Sequence, residues 1–138
     1  MYRRFIIPYP LPGLNEYIEI ERQNKYAAAQ FKKKIESGIV FIIKKELPSF
    51  VINDLVNIQY HWYEKDKRRD KDNIAFAKKF IQDALVHAGV LRNDGWGEIL
   101  GFTDTFMIDK KNPRVVVGLE VVSSNKTQNI PYNLKIYQ

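Results

Sequence analysis

The sequence predicts a single α+β domain, a mixed β-sheet packed by two main helices in the order β-α-β-α-β-β. Three observations carry this. Residues 55 to 63 alternate apolar and polar side chains with the period-two pattern of a strand that has one wet face. Two longer stretches repeat apolar residues every three or four positions, as helices do, and short apolar runs bounded by proline, glycine and asparagine lie on either side of them.

Taken in order, Arg3-Arg-Phe-Ile-Ile7 reads as a short strand, ended by the loop Pro8-Tyr-Pro-Leu-Pro-Gly13, where proline removes ladder donors and glycine permits a turn. Asn15 and Asn24 mark a polar approach to the first helix. That helix runs from about Lys25 to Glu46, with Phe31, Ile35, Ile39, Ile42 and Ile43 as its apolar face and Pro48 at its end. In the strand that follows, Val56, Ile58, Tyr60 and Trp62 alternate with Asn57, Gln59, His61 and Tyr63. A charged run, Glu64-Lys-Asp-Lys-Arg-Arg-Asp-Lys-Asp72, leads into the second helix, about Asn73 to Ala88, which Gly89 closes. After the turn Arg92-Asn-Asp-Gly95, the stretches Glu98 to Ile108 and Arg114 to Val122 read as a hairpin joined through Asp109 to Pro113, with Asp104 and Asp109 as hairpin-end polar residues. The domain is expected over 1–122, and 123–138 as a polar tail or partner-docking arm.

Composition narrows the function classes. There is no cysteine, which excludes disulfide scaffolds, thiolate nucleophiles and Cys-type zinc sites, and two histidines argue against a His-rich metal centre. Twenty-two Lys and Arg against 16 acids give a formal charge of +6, which favours a polyanionic partner. No apolar run is long enough to span a membrane, and Phe5 to Pro8 is too short for a secretory signal, so a cytoplasmic protein is expected.

The second predicted helix carries the chemistry. At about 100° per residue, Ile74, Ala77, Ile81, Ala84, Leu85 and Ala88 form a buried stripe, while Asp72, Lys79 and Asp83 gather within about 40° of one line on the other side. Lys78 projects to the flank of the stripe. Asp70 lies two residues before Asp72, so in extended backbone the two carboxylates point the same way. Two or three carboxylates with phosphate oxygens suffice for Mg²⁺, which suits phosphodiester hydrolysis, with a lysine to stabilise the developing charge. Arg68 and Arg69 stand beside the pair to hold flanking phosphates, and Lys65, Lys67 and Lys71 extend the positive field.

Lys67-Arg-Arg-Asp-Lys-Asp-Asn73, then Lys79, Asp83-Ala-Leu, His87-Ala-Gly89 and Asn93-Asp94 together resemble the core signature of the RusA-type Holliday-junction resolvases, and the amino-terminal proline loop with Asn15 also fits. The resemblance spans roughly residues 5 to 122 and is strongest over 67 to 95. It implies metal ligands at Asp70, Asp72 and Asp94, a catalytic lysine at Lys79, and DNA contacts at Arg68 and Arg69. It further implies Mg²⁺ with Mn²⁺ as a substitute, a homodimer, branched DNA as substrate and a role in recombination and repair, with a phage or prophage origin. Lys67, Lys71, Lys78 and the Lys32-Lys33-Lys34 cluster complete the expected DNA-binding set. Some members of the family place the lysine four residues after the second aspartate. Here that position is Phe76, so the match moves to Lys79, with Lys78 as its competitor.

Plainer readings stand beside these. Asp72 is also a good N-cap, Asn93-Asp94-Gly95 a good tight turn, and 65–71 an ordinary solvated loop. Exposed Tyr63, Trp96 or Phe76 would suit base stacking. A related Mg²⁺ nuclease acting on flaps, or a non-catalytic DNA-binding module, fits the same composition.

Overall fold

In chain order the elements are β1 (Tyr2–Ile7), α1 (Leu14–Gln23), α2 (Lys25–Glu46), β2 (Leu55–Glu64), α3 (Lys71–Ala75), α4 (Lys78–His87), β3 (Ile99–Ile108) and β4 (Arg114–Val122). This computed structural model describes residues 1–122, and the segment expected as a polar tail lies outside the described residues. The elements form one α+β domain. Its mixed sheet has the order β1-β4-β2-β3, with β3 parallel to β2 and the other two pairings antiparallel.

The period-two pattern of β2 marks the centre of the sheet. Val56, Ile58, Tyr60 and Trp62 are buried, and the residues between them are partly exposed. Across β4 the register sets Trp62 opposite Val115, Tyr60 opposite Val117 and Ile58 opposite Leu119, all buried. This pairing overturns the expected hairpin, because β3 and β4 lie on opposite sides of β2. Their connection passes the end of β2, where Asp109 N donates to Glu64 O at 2.8 Å. Arg114 Nη1 donates to Asp109 Oδ2 and to Asn112 O, each at 2.8 Å, and its guanidinium stands 3.8 Å from the Tyr63 ring centroid. Burying both sides of an apolar strand outweighs the short loop closure a hairpin would have offered. The Arg114 hydrogen bond holds the Asp109 carboxyl below the usual carboxylate range.

Two further elements differ from expectation. Residues 14–23, expected as a polar approach, form α1, which buries no residue fully but sets Tyr17 against Phe76 and Phe80. Its apolar side is too shallow to show as a stripe. Asn24 ends α1 and caps α2, its side chain accepting from Tyr26 N and Ala27 N. The second predicted helix is divided into α3 and α4. Around the break, Ala77 N bonds Ile74 O, Lys79 N bonds Phe76 O and Phe80 N bonds Ala77 O, each reaching back three residues. Tighter winding there advances the chain by about 20° more per residue than an α-helix does. The predicted stripe is nonetheless inside, with Ile74, Ala77, Ile81, Ala84 and Leu85 buried and Ala88 partly so. No helix among the described residues is long and apolar enough to cross a membrane.

The proline loop is tied to α3 at one close approach. Asn73 Oδ1 accepts from Asn15 N at 2.9 Å, and a Cβ at Gly13 would stand 2.6 Å from that same oxygen. Gly13→Ala is therefore expected to cost about 1–3 kcal/mol by forcing the amide off its partner. A urea titration reads this, and a midpoint equal to that of the parent chain would show the loop can shift freely.

Candidate functional site

The charged run is only partly free to meet a ligand. Arg69 donates through Nε and Nη2 to the Glu64 carboxylate, both at 2.9 Å, and through Nη1 to Leu11 O at 3.0 Å. Its fork thus joins the end of β2 to the proline loop, and the phosphate role expected for it has no free donor pair to perform it. Arg68 is different. Its guanidinium lies 3.6 Å from Asp66 in the open, with 86% of the side chain exposed. Lys65 and Lys67 are exposed too.

Asp70 occupies the N-cap of α3 in extended backbone (φ −69°, ψ 156°), yet its side chain makes no cap hydrogen bond. Asp72 lies within the first turn, and its Oδ1 accepts from Asn73 N at 2.9 Å. The capping reading of Asp72 is thus not realised: the cap position falls on Asp70, whose carboxylate has no hydrogen-bond or ion-pair partner among the described residues. Both acids are exposed, two residues apart.

The break between α3 and α4 sets where the two lysines point. A continuous helix would have put Lys79 in line with Asp72. Instead Lys79 Nζ meets Asp83 at 3.2 Å, and Asp83 in turn meets Lys32 of α2 at 3.4 Å. This is a helix–helix network completed by Glu36, which His87 Nδ1 approaches at 3.3 Å. Burial, and then the nearby Asp83 carboxylate, push the Glu36 pKa up, while Lys32 and His87 oppose the rise. Lys78 points the other way, to β3. Its Nζ donates to Asp104 Oδ2 at 2.6 Å and sits 4.2 Å from the Phe102 ring centroid. Asp104 Oδ1 accepts from Trp62 Nε1 at 2.8 Å, so the carboxylate is held from both sides. Beside it, Gln82 Nε2 donates to the Tyr60 hydroxyl at 3.1 Å, and burial pushes that phenol's pKa up strongly.

Asp94 lies in a cleft of about 260 Å³ shared with Gln82, Trp96, Leu100 and Phe102. Its backbone N–H bonds the Asn93 side chain, as in a turn, but its carboxylate has no partner among the described residues. At the other end of the row, Lys71, next to Asp70, holds its Nζ 5.7 Å from the Phe106 ring centroid. Phe102 and Phe106 are themselves four residues apart on one face of β3, about 13 Å at ~3.3 Å per residue. Among the described residues no three His, Cys, Asp or Glu side chains gather as a metal-holding group. Asp70, Asp72 and Asp94 are thus not gathered as a preformed three-carboxylate group among the described residues. The adjacent pair Asp70 and Asp72 does fit Mg²⁺ in the mode where one or two carboxylates act together with substrate phosphates.

No known family model matches the chain, and no curated protein matches it.

Asp104 lies within the β2–β3 ladder opposite Tyr60 and not at a hairpin end, with the Trp62 indole and the Lys78 ammonium as its partners. Two signals point to it. Period two places it on the face of Phe102 and Phe106, and the buried indole of Trp62 needs an acceptor.

Proposed function

We propose that this domain is a Mg²⁺-dependent, structure-specific endodeoxyribonuclease that introduces paired nicks in four-way and other branched DNA, acting as a homodimer in recombination and repair. The observation that carries the reading is the Asp70 carboxylate, placed where a cap bond is available and left without one, next to the exposed Asp72. Asp70 and Asp72 hold the metal, with Mn²⁺ as a substitute, and Asp94, in the cleft beside Phe102, supplies a third carboxylate when DNA is bound. When bound, the metal lowers the pKa of an attacking water and offsets charge on the phosphorus. Lys78, on the β3 side, stabilises charge developing on the phosphate oxygens. Arg68, Lys67 and Lys71 hold the backbone beside the acids, and exposed Lys33 and Lys34 extend contact along α2. The homodimer follows from the resemblance and from the two-fold symmetry of a junction that needs two nicks.

A second reading, a DNA-binding module without catalysis, is favoured because no three His, Cys, Asp or Glu side chains gather as a metal-holding group among the described residues. Adding Mg²⁺ to protein already bound on an end-labelled four-way junction separates the two. Paired nicks are expected, with less cutting of flap, three-way and linear duplex controls. Junction binding without nicks in either Mg²⁺ or Mn²⁺ would establish the binder instead.

A further inference from the structure

We infer that the cleft beside Asp94 is a subsite for one unstacked nucleobase of the DNA, seated against Trp96 and Phe102. This rests on the DNA reading above and adds a ligand contact to it. Trp96 is 81% exposed and Phe102 51% exposed, although large aromatic rings are the side chains with most to gain from burial. Both line the same cleft, whose volume of about 260 Å³ suits a single planar ring system better than a larger ligand. Its rim carries polar groups for the edge of a base, the Asp94 carboxylate and the Gln82 amide, whose nitrogen is held by Tyr60.

Charge identifies the occupant. The Lys71 ammonium lies 5.7 Å from Phe106, and the Lys78 ammonium, paired to Asp104, lies 4.2 Å from the Phe102 ring, so cationic groups stand beside both rings of this face. That interleaving is how proteins hold single-stranded nucleic acid, with bases on the rings and phosphates on the ammonium groups.

The chain's two tryptophans make the test direct, since Trp62 is 1% exposed and only Trp96 is open to solvent. In metal-free buffer, a synthetic four-way junction is expected to lower Trp96 emission and shield it from acrylamide. Trp96→Ala should weaken junction binding roughly tenfold or more, with little change for linear duplex, and Trp96→Phe should recover most of the loss. Junction binding that leaves Trp96 open to acrylamide would overturn the subsite, as would wild-type junction affinity in Trp96→Ala. So would Trp96 shielding in free protein that grows with protein concentration, which would assign the cleft to a protein contact. Absence of junction binding would end both proposals. Shielding by DNA without later nicking in Mg²⁺ would keep the subsite and remove only the nuclease.

Discussion

Asparagine in place of Asp70 or Asp72 is expected to reduce Mg²⁺-dependent junction cleavage by on the order of 10³-fold or more, while binding stays intact or tightens. The two effects separate because the substitutions remove metal-ligand charge from a surface that otherwise attracts phosphate. Loss of a carboxylate weakens the grip on a hard cation, yet it also removes repulsion toward the DNA backbone. Stability should barely move. Asp70 makes no cap hydrogen bond that Asn would forfeit, and Asn is itself a good N-cap residue, so thermal midpoints should agree within the shift for about 0.5 kcal/mol. Asp94→Asn tests a separate point, since its carboxylate lines the cleft with Trp96 and Phe102. A loss as deep as for Asp70 would mean that the DNA-bound state brings Asp94 to the same ion, and a shallow loss would give it a binding role. Full cleavage by Asp72→Asn would end the nuclease proposal.

Local patterns made much of this fold legible, and the failures share one cause. The limits of α2 and the alternation of β2 follow from periodicity because each element packs one face against the core, which writes its period into the chain. Periodicity does not record which strands are neighbours. Residues 99–108 and 114–122 have the lengths and the loop of a hairpin, and only the need to bury Tyr60 and Trp62 of β2 from both sides separates them. The division of α3 from α4 was hidden for a related reason. Phe76 and Ala77 are unremarkable in a helix, and the tighter winding there goes with contacts from Tyr17 of α1, an element the pattern itself did not show. In the candidate site, the motif implies that Asp70, Asp72 and Asp94 share one ion, but it does not record how far the fold gathers them, and among the described residues no three such side chains form a metal-holding group. The role of Arg69 was obscured in the same way, because its partners Glu64 and Leu11 are set by tertiary contact.

Lys78→Met is expected to lower cleavage by roughly 10²- to 10³-fold, the usual effect of deleting one group that stabilises transition-state charge, while Lys79→Met should stay within a few-fold of the parent. The contrast follows from the break at Phe76 and Ala77, which turns Lys78 toward Asp104 and Phe102 and leaves Lys79 paired with Asp83 beside α2. Lys78→Met also leaves the Asp104 carboxylate with the Trp62 indole as its remaining partner, so some loss of stability should accompany it. Cleavage must therefore be compared below the unfolding range of both variants. Asp104→Asn provides the control: it keeps an acceptor for Trp62 but frees the ammonium from its counter-charge. A positioning role for Asp104 predicts that this variant loses turnover while retaining junction affinity, because the ammonium is still present but no longer fixed. Should Lys79→Met abolish cleavage and Lys78→Met spare it, the working lysine would be the one beside α2, and the site would have to be redrawn on that side of α4.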